Sequence, residues 1–276
     1  MKSALPLILL ALGTFAASSA CAQAPAQANS PAPRTESFEP EVGQQGKDVI
    51  WVPTPQELVE KMLDLAKVTP ADTLIDLGSG DGRTVIAAAK RGLTALGIEY
   101  EPKMVELSQR LAREAGVQDR ARFEKADLFE TDLSRAQVIT LFLLPELNQK
   151  LRPRLLDLAP GTRVVSNSFT MGDWAPDDRA SLPSPCTTWC NALLWIVPAK
   201  VHGEWQLGTE TLTLTQTFQT VAGTLGNQPV DGILKGKEIT LRVGSRTYTG
   251  TVDGTRMRGR VMPAAGSETE WSALRR

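Results

Sequence analysis

Short apolar runs alternate with amphipathic runs between residues 51 and 198, and this alternation predicts the secondary structure of the first half of the chain. The apolar runs have the length and continuity of strands that are buried on both faces of a parallel sheet. The first amphipathic run begins near Leu58, and Thr54, Pro55 and Glu57 are predicted to cap it as a capping box. Strands are predicted at 73–77, 94–99, 122–126, 138–144 and 162–168, and helices at 83–90, 102–115 and 147–158.

A further apolar run at 189–197 follows a long Pro-rich connection that has no helical pattern. It is therefore predicted as an antiparallel edge strand of the same sheet. Strands that alternate with helices predict an α/β fold, in which a mostly parallel sheet carries helices on both faces.

The hydrophobic period changes to two after residue 203, as in the alternating run at 211–218. Eleven of the 22 glycines of the chain fall in residues 203–276, where they separate short apolar runs. This pattern predicts a separate all-β module, an antiparallel meander of about seven strands that forms a small barrel or sandwich. Trp205 and Trp271 are expected to fill its two ends, and docking of a partner or presentation of a substrate is its expected role.

The N-terminus has the pattern of an export signal, with Lys2 followed by the apolar stretch Leu5–Ala17 and then small residues. Residues 1–24 are predicted as a signal peptide that ends at an A-x-A cleavage site. Lipidation of Cys21 and retention as an uncleaved anchor remain open alternatives. Residues 25–48, rich in Ala, Gln, Pro and Ser, predict a flexible linker. The expected location is therefore the periplasm or cell envelope.

Composition excludes several classes of protein. The chain has 276 residues, of which 42% are hydrophobic, so it can form about two domains. Lysine and arginine number 30 against 31 acids, which argues against a broad basic surface for nucleic acid. His202 is the only histidine, so neither a His-rich metal site nor a Ser-His-Asp triad is expected. No apolar run reaches the ~18 residues of a membrane span.

Cys186 and Cys190 are separated by three residues in the run CTTWC. In an oxidising compartment this pair is predicted to close a disulfide, and unpaired buried thiols are the alternative. Two thiolates alone are too few for a structural zinc site.

The candidate chemistry lies in the run DLGSGDG at 76–82, where the first strand turns into a helix. Glycines let a ligand approach the backbone there, and amides at a helix N-terminus attract a carboxylate or phosphate. Asp76 can accept a hydrogen bond from an ammonium group, and Glu99 ends the next strand, where an acid can hold ribose hydroxyls. The glycine spacing differs from G-x-G-x-x-G, and no P-loop sequence is present, so NAD and ATP are disfavoured.

The glycine turn, the acid at that distance and the strand–helix context together resemble motifs I and II of class I methyltransferases that use S-adenosylmethionine. The runs VPTP at 52–55, LIDLGSGDGR at 74–83, FLLP at 142–145 and PGTRVVS at 160–166 are similar to a narrower group. That group is the bacterial relatives of the mitochondrial lysine methyltransferases that modify the adenine nucleotide translocase and the c-ring protein of ATP synthase. The resemblance implies a Rossmann-like methyltransferase domain at 49–200, S-adenosylmethionine as cofactor and a protein lysine as methyl acceptor.

The resemblance also implies the residues of the site. Those expected to bind the cofactor are Asp76, Gly78, Ser79, Gly80, Asp81, Gly82, Glu99, Asp127 and Leu128. A helix cap is the alternative role for Asp127, and turn formation is the alternative for Asp81.

The fourth predicted strand ends in LLPE at 143–146, in contrast to the [DN]-P-P-[YF] motif of amino-adenine and glutamine-amide methyltransferases. Those acceptors are therefore disfavoured. Pro145, Glu146 and Asn148 are the candidates for the acceptor side of the site, and the alternative is that they only start a helix.

A lysine amine is charged at pH 7, and its deprotonation costs about 4.6 kcal/mol. Burial and the nearby sulfonium charge would lower that cost. Because no His or Tyr stands in the fourth-strand motif, loss of the proton to water is expected in place of a dedicated base.

Two alternatives to a protein-lysine methyltransferase remain. One is an exported scaffold with a methyltransferase-like fold, which stays possible because S-adenosylmethionine is made in the cytosol. The other is a small-molecule methyltransferase.

Overall fold

An open seven-stranded sheet is followed along the chain by a closed eight-stranded barrel. The structure is a computed structural model that describes residues 1, 38–263 and 265–276. The predicted signal peptide beyond Met1, Cys21 and residues 25–37 of the predicted linker lie outside the described residues.

The helices and the sheet strands fall where the hydrophobic pattern predicts most of them. The helices are α1 (Gln56–Leu65), α2 (Arg83–Lys90), α3 (Pro102–Glu114) and α4 (Pro145–Leu156). The sheet strands are β1 (Thr73–Leu77), β2 (Thr94–Glu99), β3 (Ala121–Lys125), β4 (Val138–Leu141), β5 (Arg163–Asn167), β6 (Asp178–Ser181) and β7 (Asn191–Ile196).

The sheet has the strand order β3-β2-β1-β4-β5-β7-β6. Strands β1 to β5 are parallel, and β7 runs antiparallel to β5. The chain enters the sheet at its centre and builds outwards in both directions, so the carboxyl ends of β1 and β4 border the crevice where ligands bind in open α/β sheets. The order of the strands thus fixes the position of the site.

The antiparallel strand near residue 190 is confirmed, but it is not at the edge of the sheet. The short strand β6 pairs with β7 and lies outside it. Three of the four β6 residues are exposed, so this strand has no apolar pattern by which it could have been predicted.

Helix α1 starts differently from the prediction, because Pro55 occupies the N-cap position and no side chain caps the helix. Thr54 is buried, and its Oγ1 accepts a hydrogen bond from Nδ2 of Asn167 at 3.2 Å. The predicted capping box is therefore wrong, because a partner distant in sequence takes up the threonine hydroxyl.

Two hydrophobic clusters cover the two faces of the sheet. Helices α1, α2 and α3 pack on one face, where Leu74 and Val138 contribute to the core. Helix α4 packs on the other face with Leu77 and Ile139. Neighbouring residues of one strand point to opposite faces, so both faces need apolar side chains, as the continuous apolar runs indicate.

The barrel consists of strands that each pair with the next along the chain, and the last strand closes on the first. Its strands are β8 (Gly203–Leu207), β9 (Glu210–Thr217), β10 (Thr220–Leu225), β11 (Gln228–Lys235), β12 (Glu238–Val243), β13 (Arg246–Asp253), β14 (Arg256–Met262) and β15 (Thr269–Arg275). The barrel is one strand larger than the sequence predicted. Trp205 and Trp271 are both buried in its core.

Two glycines face each other across β13 and β14 and permit a close approach of the strands. Gly250 pairs with Gly259, and a Cβ on Gly259 would lie 1.9 Å from the carbonyl oxygen of Thr249. The ring of Trp271 would lie 3.0 Å from a Cβ on Gly250, so the indole fills the space that the glycine leaves.

The barrel and the sheet belong to one compact unit, Phe38–Arg276. The ring of Phe218 stacks on Trp174 with 6.0 Å between centroids, and Nε2 of Gln219 donates to the carbonyl of Ala175 at 2.8 Å. The predicted disulfide between Cys186 and Cys190 is present. Among the described residues, no helix is long and apolar enough to cross a membrane.

Candidate active site

A cavity of about 320 Å³ opens at the carboxyl ends of β1, β2 and β4. Its walls are the glycine-rich turn after β1, the ends of β2 and β3, the segment after β4, and the chain at 46–54. Eight of the residues predicted to bind a cofactor line it: Asp76, Gly78, Ser79, Gly80, Asp81, Glu99, Asp127 and Leu128.

The glycine turn takes a shape that ordinary residues avoid. Gly78 and Gly80 have φ of +75° and +54°, in the left-handed region where a Cβ causes strain. The amides of Gly78 and Ser79 both donate to the carbonyl of Ile98, at 2.9 and 3.0 Å. These bonds fasten the turn to β2 and hold it open towards the cavity.

The structure corrects the prediction for Gly82, which does not line the cavity. This glycine is the N-cap of α2, with φ of +81°. A Cβ there would lie 2.6 Å from the ring of Phe123 and 2.7 Å from Cβ of Ser108. Gly82 is therefore required for packing of the turn against β3 and α3, not for contact with a ligand.

Asp76 is the buried acid of the site, with 7% of its surface exposed. Thr140 Oγ1 donates to its Oδ1 at 2.6 Å. Burial raises the pKa of Asp76 to about 7, and the nearby charges of Asp81 and Glu99 add to the rise, against the effect of the Thr140 hydrogen bond. A cation in the cavity would stabilise the ionised form of this carboxyl.

Glu99 is oriented by three backbone amides. Its Oε2 accepts from Gly80 N at 2.9 Å, and its Oε1 accepts from the amides of Tyr100 at 2.8 Å and Glu101 at 3.0 Å. Each carboxylate oxygen has two lone pairs, so the group can still accept hydrogen bonds from hydroxyls. The glycine turn and the strand-end acid are thus in direct contact.

Asp127 both lines the cavity and stabilises the turn that follows β3. Its Oδ1 accepts from Phe129 N at 2.8 Å, and its Oδ2 pairs with Lys47 Nζ at 2.6 Å. The Lys47 hydrogen bond holds the pKa of Asp127 below its usual value, and the same bond raises the pKa of Lys47. No helix lies in the described residues between β3 and β4, so the helix-cap alternative is wrong, and Asp127 stabilises a turn while its role in cofactor binding stays a prediction.

Residues 38–48 belong to the folded unit, which moves the boundary of the predicted linker at 25–48. Gly43 N donates to the carbonyl of Trp51 and Trp51 N donates to that of Gln44, each at 2.8 Å. This turn places the indole nitrogen of Trp51 2.6 Å from where a Cβ of Gly80 would lie. Sequence reasoning missed Trp51 and Lys47, because their contacts join segments that are far apart in the chain.

Asp81 lines the cavity, but Arg83 occupies its carboxylate. Arg83 donates to it through Nε at 3.0 Å and Nη2 at 2.6 Å, and its Nη1 reaches the carbonyl of Thr54 at 2.9 Å. Asp81 and Arg83 thus tie the turn to the chain before α1, which supports the turn-forming role.

Pro145, Glu146 and Asn148, the candidates for the acceptor side, do not line the cavity, although their neighbours Leu144 and Leu147 do. They belong to the start of α4, and Asn148 is fully buried, with Nδ2 3.2 Å from the carbonyl oxygen of Thr170. The helix-start alternative therefore holds. The cavity is lined in this region by Phe142, Leu143, Leu144 and Leu147.

Three aromatic side chains form one side of the cavity, and we call Phe142, Phe169 and Trp189 the aromatic wall. The centroid of Trp189 is 5.2 Å from each phenyl centroid, and the two phenyl rings are 5.8 Å apart. Trp189 lies inside the loop closed by the disulfide. Phe142 was noted only as part of the FLLP motif, and no sequence signal marked its meeting with the other two.

The residues of the cavity fit S-adenosylmethionine. Asp76 is a buried acid that a ligand ammonium would stabilise, and Ser79 Oγ is buried without a partner among the described residues. Glu99 is placed for ribose hydroxyls, and the left-handed glycines leave the backbone open. Within the described ranges, no group of three or more His, Cys, Asp or Glu residues is arranged to hold a metal ion.

Strand order and site together define the class I fold of methyltransferases that use S-adenosylmethionine, and comparison with known proteins gives the family. The profile of the ANTKMT methyltransferase domain matches residues 76–178. A protein-lysine N-methyltransferase of Saccharolobus islandicus is 42% identical over 133 residues, which cover 47% of this chain and 83% of that protein. The chain therefore belongs to the ANTKMT methyltransferase family.

The names of two other similar proteins give two different methyl acceptors, a protein lysine and RNA. A Mus musculus lysine N-methyltransferase named for the c-ring protein of ATP synthase is 36% identical over 128 residues, 46% of this chain and 51% of that protein. This chain thus spans about half of that relative's length. The crystal structure of an RNA methyltransferase from Salinibacter ruber with S-adenosyl-L-homocysteine is 48% identical, covers 54% of this chain and 96% of its own, and has a TM-score of 0.51. The predicted S-adenosylmethionine-dependent methyltransferase is confirmed.

Proposed function

We propose that this enzyme methylates the ε-amine of a lysine in a protein. The observation that carries the proposal is its 42% identity across 83% of a protein-lysine N-methyltransferase. The cavity supports it, because the part that follows β4 offers a lysine side chain an apolar and aromatic surface.

The chain's own residues prepare the amine for attack. Leu143 is buried and Leu147 is half-buried, and an amine that leaves water to lie against these apolar side chains has a lowered pKa. The cavity-lining residues after β4, Phe142, Leu143, Leu144 and Leu147, carry no titratable group, so none of them can act as the base, and we expect the proton to be released to water. Bound S-adenosylmethionine supplies a methyl group on a positively charged sulfur, which keeps the electron pair when the carbon–sulfur bond breaks and the nitrogen–carbon bond forms. Positioning of the amine is thus the main contribution of the protein.

An RNA acceptor is the competing hypothesis, because the similar Salinibacter ruber protein is called an RNA methyltransferase. We favour lysine on electrostatic grounds. Among the described residues that line the cavity, the two cations, Lys47 and Arg83, are each paired with an aspartate, whereas Asp76 and Glu99 have no basic partner. Such a surface attracts a cationic side chain and repels phosphate.

The proposal is tested by labelling a cell-envelope extract with the purified protein and isotopically labelled S-adenosylmethionine. We expect label that protease releases and nuclease does not, and mass spectrometry should locate it on lysine. The matched control is Asp76→Asn, which should label far less than the wild type when S-adenosylmethionine is kept below the wild-type Kd, because its affinity for the cofactor is reduced. Label in nuclease-sensitive material would establish RNA as the acceptor, and label only in small molecules would favour the remaining alternative.

We also propose that the protein is exported and acts in the periplasm or cell envelope. The pattern of Lys2 and Leu5–Ala17 supports export, and so does the Cys186–Cys190 disulfide, since disulfides persist mainly in oxidising compartments. Intact mass of the protein from cells should show loss of residues 1–24, or a chain that begins with a lipidated Cys21. A full-length chain recovered from the cytosol with both thiols reduced would contradict export.

A further inference from the structure

The aromatic wall lies on the opposite side of the glycine turn from the acids expected to hold the ribose and adenine. In the strand order, β2 and β3 lie on one side of β1, and β4, β5 and β7 lie on the other. Glu99 ends β2 and Asp127 follows β3, so both stand on the first side. Phe142 follows β4, Phe169 follows β5 and Trp189 precedes the antiparallel β7, so all three rings meet on the second side at the same edge.

The three rings are not part of the protein's core. Each is only partly buried, and none contributes to the hydrophobic clusters of the sheet or barrel. They contact one another and line the cavity beside Leu143, whose Cδ2 is 3.3 Å from where a Cβ of Gly78 would lie. Partly exposed aromatic rings in a concave site are typical of ligand-binding surfaces.

The backbone that presents two of these rings has an unfavourable conformation. Trp189 has φ of +55° and Ser168, just before Phe169, has φ of +58°, and neither is a glycine. A bulky residue in the left-handed region is rare and persists only where the surroundings impose it. Such strain concentrates at functional sites.

Covalent and hydrogen bonds impose this conformation. The disulfide closes a loop of five residues around Trp189. Leu182 N donates to the carbonyl of Cys190 at 2.8 Å, and Ser168 N donates to that of Asn191 at 2.8 Å. The end of the loop is thereby fixed to the residue after β6, and the start of β7 to the residue after β5, with the indole beside the two phenyl rings.

We propose that the aromatic wall is the acceptor subsite, which binds the methylene chain and charged end of a lysine, and that the disulfide positions Trp189 in it. This inference rests on the proposed lysine acceptor and names the residues that select it. An alkyl chain packs on aromatic faces, and an ammonium group is attracted to them, to indole most strongly.

The test measures binding separately from turnover. The indole N–H resonance of Trp189 is identified as the one absent from Trp189→Phe. The protein, loaded with S-adenosylhomocysteine, is titrated with Nα-acetyl-lysine methylamide, with the norleucine analogue that lacks the ammonium, and with a short adenine oligonucleotide. We expect the lysine probe to shift this resonance, the norleucine probe to bind at least about threefold more weakly, and the oligonucleotide to leave it unchanged.

Four variants separate binding of the acceptor from binding of the cofactor. Trp189→Leu should weaken the lysine probe about tenfold or more, while Trp189→Phe, which keeps an aromatic face, should weaken it about threefold or less. The double change Cys186→Ser with Cys190→Ser should fall between them. Thr187→Ala, an exposed position in the same loop, is the matched control and should have no effect. Calorimetry with S-adenosylhomocysteine should give the same affinity, within about twofold, for all four.

The same variants are then assayed on the protein substrate that the labelling experiment identifies, where Trp189→Leu should raise KM far more than it lowers kcat. The inference is overturned if the lysine probe leaves the Trp189 resonance unmoved, if the oligonucleotide shifts it, or if Trp189→Leu loses cofactor and lysine probe in parallel. Lysine labelling by the wild type with an unchanged KM in Trp189→Leu would refute the aromatic wall alone. Absence of lysine labelling by the wild type would refute the proposed function itself.

Discussion

The sheet half of the protein and the barrel differ in the buried polar groups that they leave without a hydrogen-bond partner. All three buried polar side-chain atoms without a partner among the described residues lie in the sheet half, on Ser79, Asn148 and Trp174. The sheet also holds Asp76, a carboxyl whose pKa burial raises to about 7. The barrel closes its strands on one another around a filled apolar core. An open parallel sheet has an edge where strand ends meet a crevice, and a closed filled barrel has none.

The comparison predicts that barrel changes affect stability and leave cofactor binding alone. Trp205 is fully buried in the barrel, and its Nε1 donates to the carbonyl of Val201 at 2.8 Å. Trp205→Ala should lower the free energy of unfolding by about 3–5 kcal/mol, because it leaves a cavity and an unpaired carbonyl. Denaturant unfolding measures this, with Trp205→Phe as the milder control. A changed affinity for S-adenosylmethionine under conditions where the variant is folded would show that the two regions are coupled.

Asp76→Asn should have opposite effects on stability and on binding. Folding raises the pKa of this acid from 3.8 to about 7, so the folded protein without ligand loses stability as the pH rises between these values. Three pH units correspond to about 4 kcal/mol, so the variant should match the wild type near pH 4 and exceed it by up to that amount at pH 8. Affinity for S-adenosylmethionine at pH 8 should fall about 10- to 100-fold, because a charged partner of the ammonium is lost.

Urea unfolding at both pH values and calorimetry at pH 8 test this prediction. Asp231→Asn, at an exposed carboxyl of the barrel, is the matched control and should leave the affinity unchanged. The assignment of Asp76 to the cofactor fails if Asp76→Asn binds S-adenosylmethionine as tightly as the wild type does.

Two glycines in left-handed conformations allow a direct contrast between the regions. Gly80 and Gly254 have φ of +54° and +57°, but only Gly80 has a neighbour, Trp51, where a Cβ would go. Alanine at either position should cost about 1–2 kcal/mol of stability through the backbone. Gly80→Ala should also displace Trp51 and weaken cofactor binding about tenfold, whereas Gly254→Ala should not affect it. Equal binding by the two variants would contradict the role of the glycine turn.

The smallest effect is expected at the ion pair of Lys47 with Asp127. Both side chains are partly exposed, so Lys47→Ala should weaken cofactor binding only about two- to threefold, and less at high salt. Arg242→Ala, which removes an exposed pair with Asp231 in the barrel, is the control and should leave binding unchanged. Calorimetry at about 50 and 500 mM salt distinguishes them, and a larger loss that salt does not reduce would mean a direct contact with the ligand.

The predictions of secondary structure were correct where they rested on a clear hydrophobic pattern or on the glycine-rich run. The observed bounds of β1, α2 and β2 coincide with those predicted, because each element has a complete local signal. The predictions failed where a distant partner decided the outcome. Gly82 packs on Phe123, Asn148 Nδ2 lies near the carbonyl of Thr170, and neither residue lines the cavity.

The sequence by itself determined the parallel sheet, the all-β module, the glycine turn with its two acids and the disulfide pair, because short-range pattern and residue chemistry encode them. Only the tertiary structure decided that residues 46–48 line the cavity, that β6 lies outside β7, and that Phe142, Phe169 and Trp189 meet. These contacts join segments tens of residues apart. These contacts form only when the strands are arranged in the order seen in the sheet, and no short segment of the sequence encodes that order.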